Sequence, residues 1–529
     1  MTADFYTKPS YRWFVNATVT LGGMLFFLDA NTVPVAVPWM MASFGVDIDK
    51  IQWVVNAYMI AVAVAMPTLG WLGSRLGYKT LFISALLFYI VGGLLCAVST
   101  DVDFVIGFRI LQGFGAAALT TVPLAFIFEH FSLPERGMAI GFYSLGSCLP
   151  AALTPALSGY VTEHLGWPWV FYTVTPIGLL CLLMSFLLLK EIKAGNEEPF
   201  DFKGFLAMSG FLVCLLIALS RGQRWGWRSD YILSLFAIST TFLILFLWWE
   251  WKSASPLVQL SLYKSPTFLI SSLISLAFGV GFFGTNFLLP LFIEDLAGYS
   301  PIQYGWMMAP GIVVLGTVSY LAGKMSDQMD ARIPLLLGLL SFIAAFYWLS
   351  RLDIYSSALA IIGMVVMRSV GMSFIYPPLM YVSLNSVPPT SVGLAAGLIN
   401  VIRQLGGSFG IAALSTLLER REIFHRAVYG EALNPSSPGL QKFLSGLKSS
   451  ILFQAGGSPD QVKDQALALI IQESKRQALI AAFNDCFYLT LFIFLACFLP
   501  TLFISGRRRP GDIPGRGVES SRTLIFPQD

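Results

Sequence analysis

Charge is what this chain has least of. Only 12% of its 529 residues are Asp, Glu, Lys or Arg, while 56% are hydrophobic. Soluble globular proteins carry about 25% charged residues. So few charges cannot cover a water-facing surface of this size, so lipid must solvate most of the chain. A net charge of +3 leaves no basic field for nucleic acid. Histidine is nearly absent, and His130, His164 and His425 are scattered, which excludes a metal cluster. The six cysteines fall inside apolar runs without CxxC spacing and read as small buried hydrophobes. No GxxxxGK[ST] phosphate loop is present, so no nucleotide cofactor is expected and energy must come from an ion gradient. No nucleophile–base pair stands out either, and no enzymatic or catalytic residue is assigned. A cleavable signal peptide is not expected, because Tyr6 to Arg12 is polar and the run after it carries an acid and two prolines.

What the chain has is long apolar runs. A membrane-crossing helix needs about 20 mostly apolar residues at 1.5 Å rise. Fourteen runs qualify, at about 13–35, 51–72, 80–98, 104–127, 138–161, 168–189, 204–221, 231–250, 267–292, 303–323, 333–350, 355–378, 393–418 and 480–505. An even number puts both termini on one side, and basic residues choose it. With the N-terminus inside, the inner segments hold Lys8, Arg12, Arg75, Lys79, Arg136, Lys190, Lys324, Arg332 and Arg507 to Arg509, among others. The short outer loops hold only Lys50, Arg221, Arg224, Arg228 and Arg351. That bias predicts both termini in the cytoplasm.

Punctuation divides the chain further. The segment Gly70-Trp71-Leu72-Gly73-Ser74-Arg75-Leu76-Gly77-Tyr78-Lys79 is a tight, basic, glycine-rich turn between two runs. It has an echo at Gly323 to Arg332, which includes Asp327, and each turn is followed by an in-membrane arginine, Arg109 or Arg368. Duplicated halves are a mark of secondary transporters, with the substrate site between the repeats. The expected division is a six-helix bundle over 1–192, a charged connector with two inserted helices over 193–266, and a second six-helix bundle over 267–505. Within the last, 419–479 reads as a long polar outer loop whose stretch 460–479 suits an amphipathic helix. Residues 506–529 read as a cytoplasmic tail.

Asp29 is the only acid in the first run, and a mid-membrane charge costs about 2.5–3.5 kcal/mol on insertion scales. The first helix runs outward and the fourth inward, so Asp29 and Arg109 both sit roughly 8 Å inside the outer boundary. Equal depth permits pairing, and an acid that alternates between arginine and a cavity suits proton coupling. Asn31, Gln112, Asn286, Arg368 and Arg403 are candidates for the cavity or substrate. Glu294, Asp295 and Asp485 read as solvated groups at the outer mouth. Gly70, Arg75, Gly77, Lys79, Gly323, Asp327 and Arg332 are candidate gating residues. Pro150, Pro155 and Gly159 form a hinge signal in the fifth run, where small residues also permit close packing.

These segments resemble the major facilitator superfamily, and within it the fourteen-helix drug:proton antiporters. The likeness rests on Gly70 to Lys79, on Arg109-Ile110-Leu111-Gln112-Gly113, on Pro155 to Gly159 and on Leu28-Asp29 through Val37-Pro38. Trp53 to Tyr58, Trp167 to Phe171 and Arg403 to Gly410 add to it. Ser74 stands where the family's turn usually has an acid. The resemblance implies an all-α integral membrane protein of the major facilitator fold: two six-helix bundles and two inserted helices. It implies an inner-membrane multidrug efflux antiporter that exchanges small amphipathic compounds for protons by alternating access, with a role in drug resistance. Small molecules, protons and membrane lipid are the implied partners, and the long outer loop leaves room for a periplasmic adaptor protein. The alternatives are a dedicated exporter of one metabolite, siderophore or peptide-like, and a non-transporting scaffold or subunit of a tripartite pump.

Overall fold

A computed structural model describes residues 10–148, 154–192, 199–253, 255–432, 441–442, 444–446 and 459–504. Among them there are no strands. Helix is the expected outcome in lipid, because each backbone N–H and C=O must be satisfied within its own segment. The helices are α1 (Tyr11–Phe44), α2 (Ile48–Ala65), α3 (Leu69–Leu76), α4 (Tyr78–Ala97), α5 (Val102–His130), α6 (Arg136–Cys148), α7 (Thr154–Leu165) and α8 (Trp169–Leu188). Next come α9 (Phe202–Trp225), α10 (Asp230–Lys252), α11 (Pro266–Pro290), α12 (Pro301–Gln328), α13 (Arg332–Leu349), α14 (Ala358–Asn385), α15 (Val392–Ala432) and α16 (Pro459–Thr501).

Thirteen helices among the described residues are long and apolar enough to cross a membrane, α2 and α3 counting as one. The fifth apolar run is represented by α6 and α7, on either side of residues 149–153. With that run the layout accords with fourteen crossings. Polar side chains set several helix starts: Asp47 accepts from the Lys50 amide, and Ser300 and Gln303 form a capping box on α12.

Two bundles result. The first-half helices pack around one apolar core, built on Leu25, Phe82, Phe126 and Ile140, which also takes in Met380 of α14 and Ile399 of α15 where the halves meet. Helices α11 to α16 pack around a second, built on Phe292, Phe342, Phe346 and Phe487. The halves meet chiefly where α6 lies along α12, and where α15 lies along α5, α3 and the Met66–Thr68 turn before it. Inserted helices α9 and α10 pack on each other, and α9 also touches α2 and α15. Arg221 and Arg224 hold it to α2, Arg221 Nη2 donating to the Asp49 carbonyl at 2.9 Å and Arg224 Nη1 lying 2.9 Å from the Asp49 carboxylate.

The polar stretch read as a loop over 419–479 is helical at both ends. Helix α15 runs on to Ala432, and α16 begins at Pro459. No proline interrupts α15, and Glu422 and Arg426 pair at i,i+4 along its extension. Asp485, expected as a solvated group at the start of the last helix, lies well inside α16. Its carboxylate meets Arg421 Nε at 2.5 Å and His425 Nε2 at 2.7 Å, clamping the two extensions together. Of the expected hinge, Pro150 lies outside the described residues and Pro155 falls in α7. A Cβ on Gly159 would meet nothing within 4 Å, so its smallness serves no close packing in this conformation.

Candidate functional site

Three helices of the first half bring the coupling candidates together, and glycines allow it. A Cβ on Gly113 of α5 would lie 2.7 Å from the Tyr58 carbonyl oxygen, and one on Gly115 would lie 2.4 Å from that of Ala85. Without side chains at those positions, α5 lies against the backbones of α2 and α4, and Arg109 reaches α1. Its Nη1 donates to both Asp29 oxygens, at 2.7 and 2.9 Å, and to Gln112 Oε1 at 2.8 Å. Arg109 Nε donates to the Val54 carbonyl at 2.9 Å, and Gln112 Nε2 donates to Asp29 Oδ1 at 3.3 Å. The guanidinium sits 4.0 Å from the centre of the Tyr58 ring.

The pair is sealed, with Asp29 at 2% exposure and Arg109 at 1%. Both carboxylate oxygens accept from one nitrogen rather than from the parallel two-nitrogen fork that makes the firmest arginine–carboxylate contact. Equal depth, read from helix rise, thus becomes direct contact, with Gln112 in the same network. Asn31 does not join it: its side chain is exposed and bonds the Phe27 carbonyl of its own helix at 2.7 Å. Tyr58 is the member that sequence reading passed over, although it closes the segment from Trp53 already noted.

A second feature lies between the halves. Phe26 and Phe27 of α1, Tyr143 of α6, Phe278 and Phe282 of α11 and Tyr376 of α14 wall an apolar cavity of about 50 Å³, with Arg403 as its one charged lining residue. Arg403 lies 5.0 Å from the Tyr376 ring centre. Drug-sized ligands occupy about 300–1,000 Å³, so such an occupant requires the halves to separate. Among 43 phenylalanines no sequence signal marked these few. Arg368 meets Asn286, its Nη1 donating to Oδ1 at 3.2 Å, a contact between two residues that the sequence named separately. A larger crevice of about 200 Å³ between α1, α7 and α8 is lined by residues such as Leu28, Val161 and Val174 and carries no charged group.

The glycine turns lie together at one end, where the halves touch. Asp327 accepts from the Gly137 and Met138 amides at 2.7 and 2.8 Å, capping α6 from the other half. Gly323 and Gly137 permit this: a Cβ on Gly323 would fall 2.0 Å from the Gly137 carbonyl oxygen. Arg136 Nη1 adds a bond to Asn385 Oδ1 at 2.8 Å. The first turn is built differently. The Ser74 hydroxyl donates to the Trp71 carbonyl of its own helix at 2.8 Å. Contact with the second half comes instead from Gly70, whose Cβ would lie 2.8 Å from Leu394 Cα.

Gly77 has φ +87°, a left-handed conformation that suits glycine, and starts α4. Glu191, just past α8, caps that start, accepting from the Lys79 and Thr80 amides at 3.0 and 3.2 Å, while Lys79 Nζ donates to the Phe186 carbonyl at 3.1 Å. The capping role of Glu191 was hidden among the charges of its segment. Arg75 lies over Trp71 at 5.4 Å, and Arg332 pairs with Asp330 at 3.7 Å, so neither bridges the halves through these contacts. Nearby, Arg12 grips Glu135 at 2.5 and 2.7 Å. The Ser132 hydroxyl, together with Arg12, holds the Glu135 carboxyl below the usual carboxylate range.

Comparison with known proteins agrees with this architecture. The chain is 27% identical over 485 residues to the multidrug export protein EmrB of Escherichia coli K12, covering 90% of this chain and 92% of that one. It is 28% identical over 487 residues to the fatty acid resistance protein FarB of Neisseria gonorrhoeae, with 90% and 93% covered. An uncharacterized MFS-type transporter of Bacillus subtilis, YhcA, is 25% identical with 92% of each chain covered. Among solved structures, the human organic anion transporter MFSD10 superimposes with a TM-score of 0.57 over 92% of this chain and 100% of that one, at 14% identity, a likeness of fold alone. The profile of the Major Facilitator Superfamily matches residues 19–411, and the chain belongs to that family.

Proposed function

We propose that this protein exports small amphipathic compounds across the inner membrane in exchange for protons. The observation that carries this reading is the buried Asp29–Arg109–Gln112 network in one half, set beside an aromatic cavity between the halves. Asp29 takes the proton, and Arg109 competes with it for the carboxylate. Protonation removes the charge that Arg109 holds, and loss of the proton restores it. Substrate binds between the halves, and access alternates as the bundles rock. Both termini lie in the cytoplasm, as the basic residues of the inner segments indicate. The turn end is then the inner gate, closed here by Asp327 of α12 bonded to the start of α6 and by Gly70 against Leu394. Relatives named for multidrug export and for fatty acid resistance support the substrate class.

A periplasmic adaptor protein fits the same reading. The helical extensions of α15 and α16 beyond the bundle expose Ile423, Phe424, Leu467 and Leu469, an apolar surface that a lone transporter has no need to show to water. The experiment is substrate-stimulated proton movement by the purified chain in proteoliposomes, across a panel of amphipathic compounds. Movement by the chain alone supports the transporter. Its absence, with recovery only when a partner is added, would assign the chain to a multi-protein pump.

A further inference from the structure

The two halves repeat a buried arginine and differ in what faces it. Arg109 on α5 meets a carboxylate on α1, the opening helix of its half. Arg368 on α14 meets an amide, Asn286, on α11, the opening helix of the other half. Arg368 is 7% exposed, and its Nε has no hydrogen-bond partner among the described residues. Among the described residues it forms no ion pair within 4 Å. α11 itself carries no acid, and Glu294 lies past its end, eight residues beyond Asn286. The phenol of Tyr304 on α12 is within electrostatic reach of both Arg368 and Glu294. A charge buried at this depth without a counter-charge is costly, and in membrane helices such groups mark substrate paths.

Position supplies the rest. Met372 is one turn along α14 from Arg368, and Phe282 is one turn along α11 from Asn286; both line the aromatic cavity. The arginine thus sits just beyond the cavity wall, and the cavity lining itself contains no acid. A guanidinium edge with Nε still to be satisfied, beside an amide, matches the geometry of a carboxylate. We propose that Arg368, with Asn286, binds the carboxylate head of an amphipathic substrate whose apolar body lies in the aromatic cavity. This rests on the export reading and narrows it to monoanionic amphiphiles.

The test uses the full chain in lipid nanodiscs at neutral pH and three tritiated probes with one aromatic body: 1-naphthylacetate, its amide, and the matched trimethylammonium compound. Equilibrium binding gives the affinity ratio of carboxylate to amide. Wild type should favour the carboxylate, and Arg368→Gln should lower that ratio at least tenfold. Asn286→Asp, which gives Arg368 an internal partner like that of Arg109, should lower it as well while leaving the protein folded. An unchanged ratio in both variants, or an equal loss for all three probes, overturns the proposal. Wild-type binding of the amide and ammonium probes but not the carboxylate also overturns it, while leaving export intact. If the chain moves no compound of a wider panel in proteoliposomes, the export reading falls and this one with it.

Discussion

Replacing Asp29 by asparagine separates a proton site from a static clasp between helices. In the folded chain Arg109 has four acceptors: both Asp29 oxygens, Gln112 Oε1 and the Val54 carbonyl. Asparagine keeps one acceptor and removes the counter-charge, leaving a guanidinium at 1% exposure with no anion beside it. Breaking a buried ion pair from one side costs about 3–5 kcal/mol. Asp29→Asn should therefore lower unfolding stability in detergent by about that amount. Arg109→Gln should do the same by stranding the carboxylate. The double variant removes both charges and keeps hydrogen-bonding groups, so it should return to within about 1–2 kcal/mol of the starting protein. Transport must behave differently. If Asp29 carries the proton, the double variant regains stability but not pH-gradient-driven movement of substrate. Should it regain both, the pair is only a clasp. A single variant as stable as the parent would refute the burial argument itself.

Two further outcomes follow from the packing. Asp327→Ala removes the cap on α6, worth about 1 kcal/mol, so a cysteine placed at Met138 should react faster with a water-soluble thiol reagent; Ser74→Asp, adding an acid on the turn that packs against α15, should slow that reaction. Gly113→Ala forces a methyl against the Tyr58 carbonyl and should cost about 1–3 kcal/mol and disturb Arg109, whereas Gly159→Ala meets open space and should be neutral or stabilising by about 0.5–1 kcal/mol, both read by thermal unfolding.

The most legible parts of the site in the sequence were those that break a pattern. Asp29 and Arg109 interrupt apolar runs, and a fixed rise per residue converts position into depth, so their meeting could be argued before any coordinates. The fourteen apolar runs were visible for the same reason, since lipid demands length and hydrophobicity together. The aromatic cavity was not visible, because a phenylalanine facing a cavity and one facing lipid look alike in sequence. Glu191 was lost in the charged stretch after α8, since a helix cap depends on where its chain segment returns. The extension of α15 was read as loop because charges crowd Glu419 to Glu422, whereas 460–479 already suited an amphipathic helix and falls in α16. Their helical state rests on contacts such as Asp485 with Arg421, across more than sixty residues of chain.

The unequal turns bear on how the proposed gate would open. On one side a carboxylate from the second half is bonded to two amides of the first, while on the other the backbone at Gly70 rests against Leu394 with little more than shape to hold it. The first joint has direction and must be broken outright; the second is a smooth bearing on which surfaces turn without losing a bond. A body held by one bolt and one bearing does not part evenly along its seam. If these turns are the gate proposed above, release of Asp327 lets the halves swing about the Gly70 contact and widens the opening first along α6 and α12, so a cargo enters off the central axis.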